Sequence, residues 1–226
     1  ILEWCARQGF EDVQADQAPL RDLIARRCRL RGWEAWIDGL TYWIMRIINT
    51  PLPLAERPPV RLAGLRRYQV ELEFWFEIAE VNVQALDALV SARTFSGRAR
   101  PQAVSQRIAG MLKGFMDLVF EHEGRYYVLD YKSNALGERN EDYTPAALEQ
   151  AILDKRYDLQ AALYALALHR HLKQRLPNYD PGLHFGGVAY YFFRGVDGPC
   201  HGLLLDTLTP ALLETLDTLM LGADAA

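Results

Sequence analysis

Hydrophobic and polar positions along the 226 residues fall into blocks of two different periods. Near the start the apolar residues recur at helical spacing. Leu2–Gln8 reads as the end of a helix, and Pro19–Leu30 and Trp33–Asn49 as two more, the last with Trp36, Leu40, Trp43, Ile44 and Ile47 in helical register. Thr50-Pro51-Leu52-Pro53 stops that helix, and Pro58-Pro59 predicts an irregular connection. The period then changes to two. Across Tyr68–Ile78, Val70, Leu72, Phe74, Phe76 and Ile78 take one face and Gln69, Glu71, Glu73 and Glu77 the other, which predicts a strand with one apolar face. Val83–Val90 predicts a short helix and Ser91–Pro101 a polar, basic loop. Two apolar segments follow, Met111–Phe120 and Arg125–Lys132, joined by His122-Glu123-Gly124, and these read as a β-hairpin. Beyond a polar loop over Asn134–Thr144, one wall of a cleft, Pro145 opens a helical stretch to about Leu176 with Leu159, Leu163, Leu166 and Leu172 as its apolar face. Pro177–Gly182 ends it, His184–Phe193 predicts a strand, and Thr209–Leu221 a closing helix. This order of elements predicts an α/β fold with a central mixed sheet covered by helices.

The hairpin carries the chemistry. A loop of two residues (Glu123-Gly124) or four (His122–Arg125) sets His122 opposite Arg125 and Asp117 opposite Asp130. Directly opposed residues of an antiparallel pair stand roughly 4.5–5.5 Å apart at Cβ, and like charges that close repel unless a cation lies between them. Lys132 follows Asp130 by two and shares its face. Phe115 and Val119 accompany Asp117 on one face, with Met116, Leu118 and Phe120 on the other. On the second segment Val128 joins the acid's face, while Tyr127, Leu129 and Tyr131 take the opposite one. Both faces are apolar, as in strands buried on both sides. An ionised group there needs a partner or a metal. Two acids and a lysine converging in this way suit a divalent cation and a phosphodiester.

Composition narrows the compartment and the partner. Half of the residues are hydrophobic, and no apolar run approaches the length of a membrane span. Cys5, Cys28 and Cys200 form no Cys-x-x-Cys pair or cluster-ligand set, which points to a reducing cytosol. A net charge of −4 is not that of a general nucleic-acid binder. Arg21, Arg26, Arg27, Arg29 and Arg31 are a basic cluster that reads as a solvated helix face. The chain begins at Ile1 inside a helical pattern and so reads as a piece of a longer one. We expect a single domain over 1–226, with a helical part at 1–50 and a core at 68–226.

Several stretches resemble the RecB-type nuclease domains of the PD-(D/E)xK superfamily. They are YQVELEF at 68–74, GMLKGFMDLVFEHEGRYYVLDYKSN at 110–134, RYDLQAALYALALHRHL at 156–172 and HFGGVAYYFFRGVDG at 184–198. The resemblance implies a restriction-endonuclease-like sheet and a Mg²⁺-dependent deoxyribonuclease acting endo- and exonucleolytically on single-stranded DNA. Asp117 matches the family's first metal-binding aspartate, Asp130 the second, and Lys132 the catalytic lysine, while the Tyr131 backbone carbonyl can complete the metal sphere. Strand parity does not separate Glu71 from Glu73; the family's glutamate, three residues before a phenylalanine, selects Glu71. Gln160 and Tyr164 match the family's Gln-x-x-x-Tyr pair, expected to meet DNA. A metal-binding histidine on the family's first helix falls just before Ile1, and none of the chain's five histidines matches it. The implied setting is a helicase–nuclease of recombinational break repair, with RecC and RecD partnering the parent chain. A second reading makes the domain a docking module for DNA or a recombinase of the RecA type. A paired-carboxylate sugar hydrolase is a weaker third, since it has no use for Lys132 and sets its acids farther apart.

Overall fold

The computed structural model describes residues 1–55 and 57–222. Its spine is a five-stranded sheet in the order β3-β4-β5-β6-β7, built from β3 (Arg67–Asn82), β4 (Arg107–His122), β5 (Arg125–Lys132), β6 (Phe185–Phe192) and β7 (Leu203–Asp206). β5 and β6 run parallel and the other neighbours antiparallel, so the sheet is mixed. One face is covered by α1 (Leu2–Gln8), α2 (Phe10–Ala15), α3 (Ala18–Arg29) and α4 (Ile37–Asn49). The other is covered by α5 (Val83–Arg93), α6 (Pro145–Asp154), α7 (Tyr157–Arg175) and α9 (Pro210–Met220), with the single turn α8 (Pro181–His184) leading into β6. This is the helix-flanked mixed sheet that the pattern predicts. Two cores result, and β5 and β6 feed both. Val128, Val188 and Tyr190 pack with α7 and α9, whereas Leu129, Ala189 and Tyr191 pack with α1–α4.

Glu123 and Gly124 both take left-handed φ (51° and 78°), the geometry of a two-residue hairpin loop whose twist suits the flanking strands. The register is the expected one, from His122↔Arg125 to Leu118↔Leu129. There the ladder stops. β4 continues with β3 alone as far as Asn82↔Arg107, while β5 continues along β6 to Lys132↔Phe192. The sheet therefore forks one step before Asp117 and Asp130, so the two acids are not the direct ladder partners that the hairpin register predicts.

Four expectations are corrected. The helical stretch from Pro145 is broken into α6 and α7 by Arg156, whose φ of 55° is left-handed. The segment around Pro58-Pro59 is ordered as β2 (Arg57–Val60), which pairs with β1 (Leu52–Leu54) in a two-stranded sheet, an arrangement that tolerates proline because no central ladder is interrupted. Trp36 lies in a 3₁₀ turn before α4 and is exposed, so the buried face of that helix starts later, with Thr41, Ile44, Ile47 and Ile48.

The fourth correction concerns which face the strand residues take. Tyr68 and Val70 pack with Leu118 and Phe120 in the α1–α4 core. Leu72, Phe74, Phe76 and Ile78 pack with Met116 in the opposite core. Both strands change sides at the level of Glu71 and Asp117, where Glu71 has a left-handed φ of 47°. A non-glycine residue at such a φ reverses the alternation that an extended strand would keep.

Candidate active site

The fork concentrates the chemistry. Asp117 is the first β4 residue beyond the last pair shared with β5, and Asp130, Tyr131 and Lys132 are the β5 residues beyond it. With no ladder partner on β4, the Tyr131 amide donates instead to Asp117 Oδ2 at 2.9 Å. That bond ties the first acid to the backbone beside the second. Asp130 is 5% exposed and Lys132 6%, and the two form an ion pair. Lys132 Nζ also donates to Gln160 Oε1 at 2.8 Å, and Gln160 Nε2 donates to Tyr164 Oη at 2.8 Å. Gln160 and Tyr164, one turn apart on α7, thus belong to the same chain of contacts as the lysine. Tyr164 stands edge-on to Phe74 of β3, with ring centroids 6.0 Å apart, which fixes the helix against the arm of the fork.

Burial sets the electrostatics. It raises the Asp130 carboxyl to about 6, with Lys132 opposing the rise and Asp117 adding to it. Burial also raises Asp117, against the lowering effect of the Tyr131 amide and Lys132. Two carboxyls pushed upward side by side favour a shared proton or a bound cation. Asp130 Oδ2 is the oxygen that pairs with the Lys132 ammonium, and no other donor reaches it among the described residues. The Asp130 and Asp117 carboxylates are both oxygen donors, the chemistry that a hard divalent cation takes.

Glu71 sits across from Asp117, between the partners Val70↔Leu118 and Leu72↔Met116. Its carboxylate does not join the two aspartates, because Arg7 of α1 takes it as an ion pair. Among the described residues no three His, Cys, Asp or Glu side chains converge closely enough to form a metal cluster. Helix α1 is docked here by Tyr68, whose hydroxyl donates to the Ala6 carbonyl at 3.0 Å and accepts from the Phe10 amide at 3.3 Å. The charge of Glu3, one turn before Arg7, adds to the upward push on Asp117.

Two groups at the site went without a role in the sequence. Arg7 has no signal, because its partner is 64 positions away. Tyr157 had one: it precedes Gln160 by three and Tyr164 by seven on α7, a single helical face. Its ring centroid is 3.6 Å from Lys132 Nζ.

Comparison with known proteins agrees with this geometry. Residues 16–214 match the model of the PD-(D/E)XK nuclease superfamily. The chain belongs to that superfamily. It is 41% identical to the RecBCD enzyme subunit RecB of Escherichia coli (strain K12) over 219 residues, 94% of this chain and 18% of the relative. The RecB subunit of Haemophilus influenzae is 36% identical over 207 residues, 90% of this chain and 17% of the relative. That of Buchnera aphidicola (subsp. Acyrthosiphon pisum) is 38% identical over 173 residues, 73% and 14% respectively. The chain thus spans less than a fifth of the length of these relatives. Within the matched residues, Asp130-Tyr131-Lys132 has the D-x-K spacing that the family name spells out.

Proposed function

We propose that this nuclease domain hydrolyses phosphodiester bonds of single-stranded DNA, endo- and exonucleolytically, with Mg²⁺. The observation that carries the reading is the meeting of Asp117, Asp130 and Lys132 at the fork, where the Tyr131 amide ties Asp117 beside a buried Asp130 that is ion-paired with Lys132. Asp117, Asp130 and the Tyr131 carbonyl are the groups to hold the cation. When bound, a divalent cation neutralises charge on the scissile phosphate and activates the attacking water.

The protein's own groups do the rest. Lys132 donates to the phosphate oxygens as charge builds on them and orients the water in line with the leaving oxygen. Gln160 holds that ammonium from α7 with Tyr164 bonded behind it, and both offer their remaining polar capacity to the DNA strand. Glu71 acts at the rim, where release from Arg7 would bring a third carboxylate toward Asp117.

The relatives are subunits of the RecBCD enzyme by name. We place this domain in a corresponding cytosolic helicase–nuclease of double-strand break repair. RecC- and RecD-type subunits would then partner the parent chain, and a RecA-type recombinase would be a further contact. The test is Asp130→Ala in the full-length parent. Mg²⁺-dependent cleavage of a single-stranded oligonucleotide should vanish while the thermal transition persists. Cleavage at the parental rate would remove Asp130 from the chemistry.

A further inference from the structure

Lys132 is a charged group with little access to water, 8% exposed at its side chain. Among the described residues its one ionic partner is Asp130, an acid also assigned to the cation. Once a cation draws on Asp130, the ammonium must be held by something else. The two remaining contacts are both uncharged: Gln160 Oε1 at 2.8 Å and the face of Tyr157, with Nζ 3.6 Å from the ring centroid. An aromatic face attracts a cation through its quadrupole, and more strongly where water is excluded. It does so without an anion that would compete with a phosphate for the lysine.

The ring is held in place with unusual completeness. Tyr157 opens α7 directly after the left-handed Arg156. The Arg156 guanidinium fixes that break, donating to Asp158 Oδ1 at 3.1 Å and to the Pro101 carbonyl at 2.5 Å, and pairing with Asp87. Asp158, fully buried, is bound in turn by Arg100 Nη1 at 2.8 Å. The Tyr157 carbonyl accepts from Tyr190 Oη at 3.2 Å, and the Asn134 side chain lies 3.4 Å from the Tyr157 hydroxyl. Helix break, backbone and ring tip are each anchored by a different element.

We propose that Tyr157 is a positioning residue for the nuclease reaction: its ring face holds the Lys132 ammonium in place and aimed at the phosphate. The proposal rests on Lys132 acting in catalysis. It is tested in the full-length parent chain with a single-stranded oligonucleotide and Mg²⁺, using Tyr157→Phe, Tyr157→Leu and phenylalanines carrying one, two or three ring fluorines at position 157. Lys132→Ala is the control. Tyr157→Phe should cleave within about twofold of the parent, whereas Tyr157→Leu should lose about tenfold in kcat with KM unchanged. Each added fluorine weakens the quadrupole at nearly constant shape, so kcat should fall stepwise through the series. A flat series, or a Tyr157→Leu variant as fast as the parent, overturns the proposal when Lys132→Ala is inactive. A fully active Lys132→Ala overturns the underlying role of the lysine instead. Should Tyr157→Leu fail to fold, the nearly isosteric fluorinated series decides alone.

Discussion

Arg100→Leu probes the device that shapes the start of α7. The Arg100 side chain is 2% exposed and its Asp158 partner 0%, so the pair is taken almost wholly out of water. Arg100 also donates to Thr94 Oγ1 and to the Thr94 carbonyl, both at 2.9 Å, which closes the turn after α5. Removing one member of a buried pair destabilises by about 3–5 kcal/mol, chiefly because the other charge is left uncompensated. Here Arg156 still reaches Asp158 through Oδ1, so the lower end, about 3 kcal/mol, is expected. For a domain of this size that corresponds to a fall in Tm of roughly 6–12 °C. Urea unfolding of the parent, Arg100→Leu, Asp158→Leu and the double variant closes the cycle. Deleting both members removes the orphaned charge and leaves Arg156 paired with Asp87, so the double variant should be no less stable than Arg100→Leu. Single-variant losses that simply add, within about 0.5 kcal/mol, would refute the buried-charge account.

Two further perturbations test the frame around the site. Asp206 Oδ2 is buried without a hydrogen-bond partner, and burial raises this carboxyl to about 6 from the usual 3.8. The folded form therefore favours the proton: this contribution to stability is present in full below pH ~4 and lost as pH rises through about 6. Asp206→Asn should match the parent at pH 4 and exceed it by at most about 3 kcal/mol at pH 8 in urea titrations; a gain independent of pH would contradict the assignment. Gly187 has φ +126°, and a Cβ there would stand 2.5 Å from the Asp206 carbonyl oxygen. Gly187→Ala should lose about 2 kcal/mol or more by the same measurement, and a neutral result would mean that β6 and β7 separate easily.

The hairpin was legible because two independent signals agree on it. The register follows from loop length, and apolar residues on both faces report burial on both sides. The change of faces at Glu71 left no trace in the same pattern. Val70 and Leu72 are both apolar, and each packs, half-buried, on its own side, so hydrophobicity cannot distinguish a strand that switches cores from one that stays. The missed break at Arg156 has a different cause. No glycine or proline marks it; the left-handed turn is held by Asp87, Pro101 and Asp158, two of them more than fifty positions away. β7 and α2 are only four and six residues long, too short for a period to register.

These blind spots coincide with the chemistry for a physical reason. Local sequence rules describe elements that keep their neighbours, whereas the site arises where β4 leaves β5, Glu71 turns left-handed and α7 restarts at Tyr157. At each of these points a backbone or charged group loses its regular partner. The Tyr131 amide turns to Asp117, and Lys132 adds an aromatic ring and an amide to its pairing with Asp130. A continuous ladder through Asp117 and Asp130 would have used that amide within the sheet and stabilised the fold further. In the proposed reaction, the unmade pairs are what leave the two carboxylates and the lysine available to a cation and a phosphate.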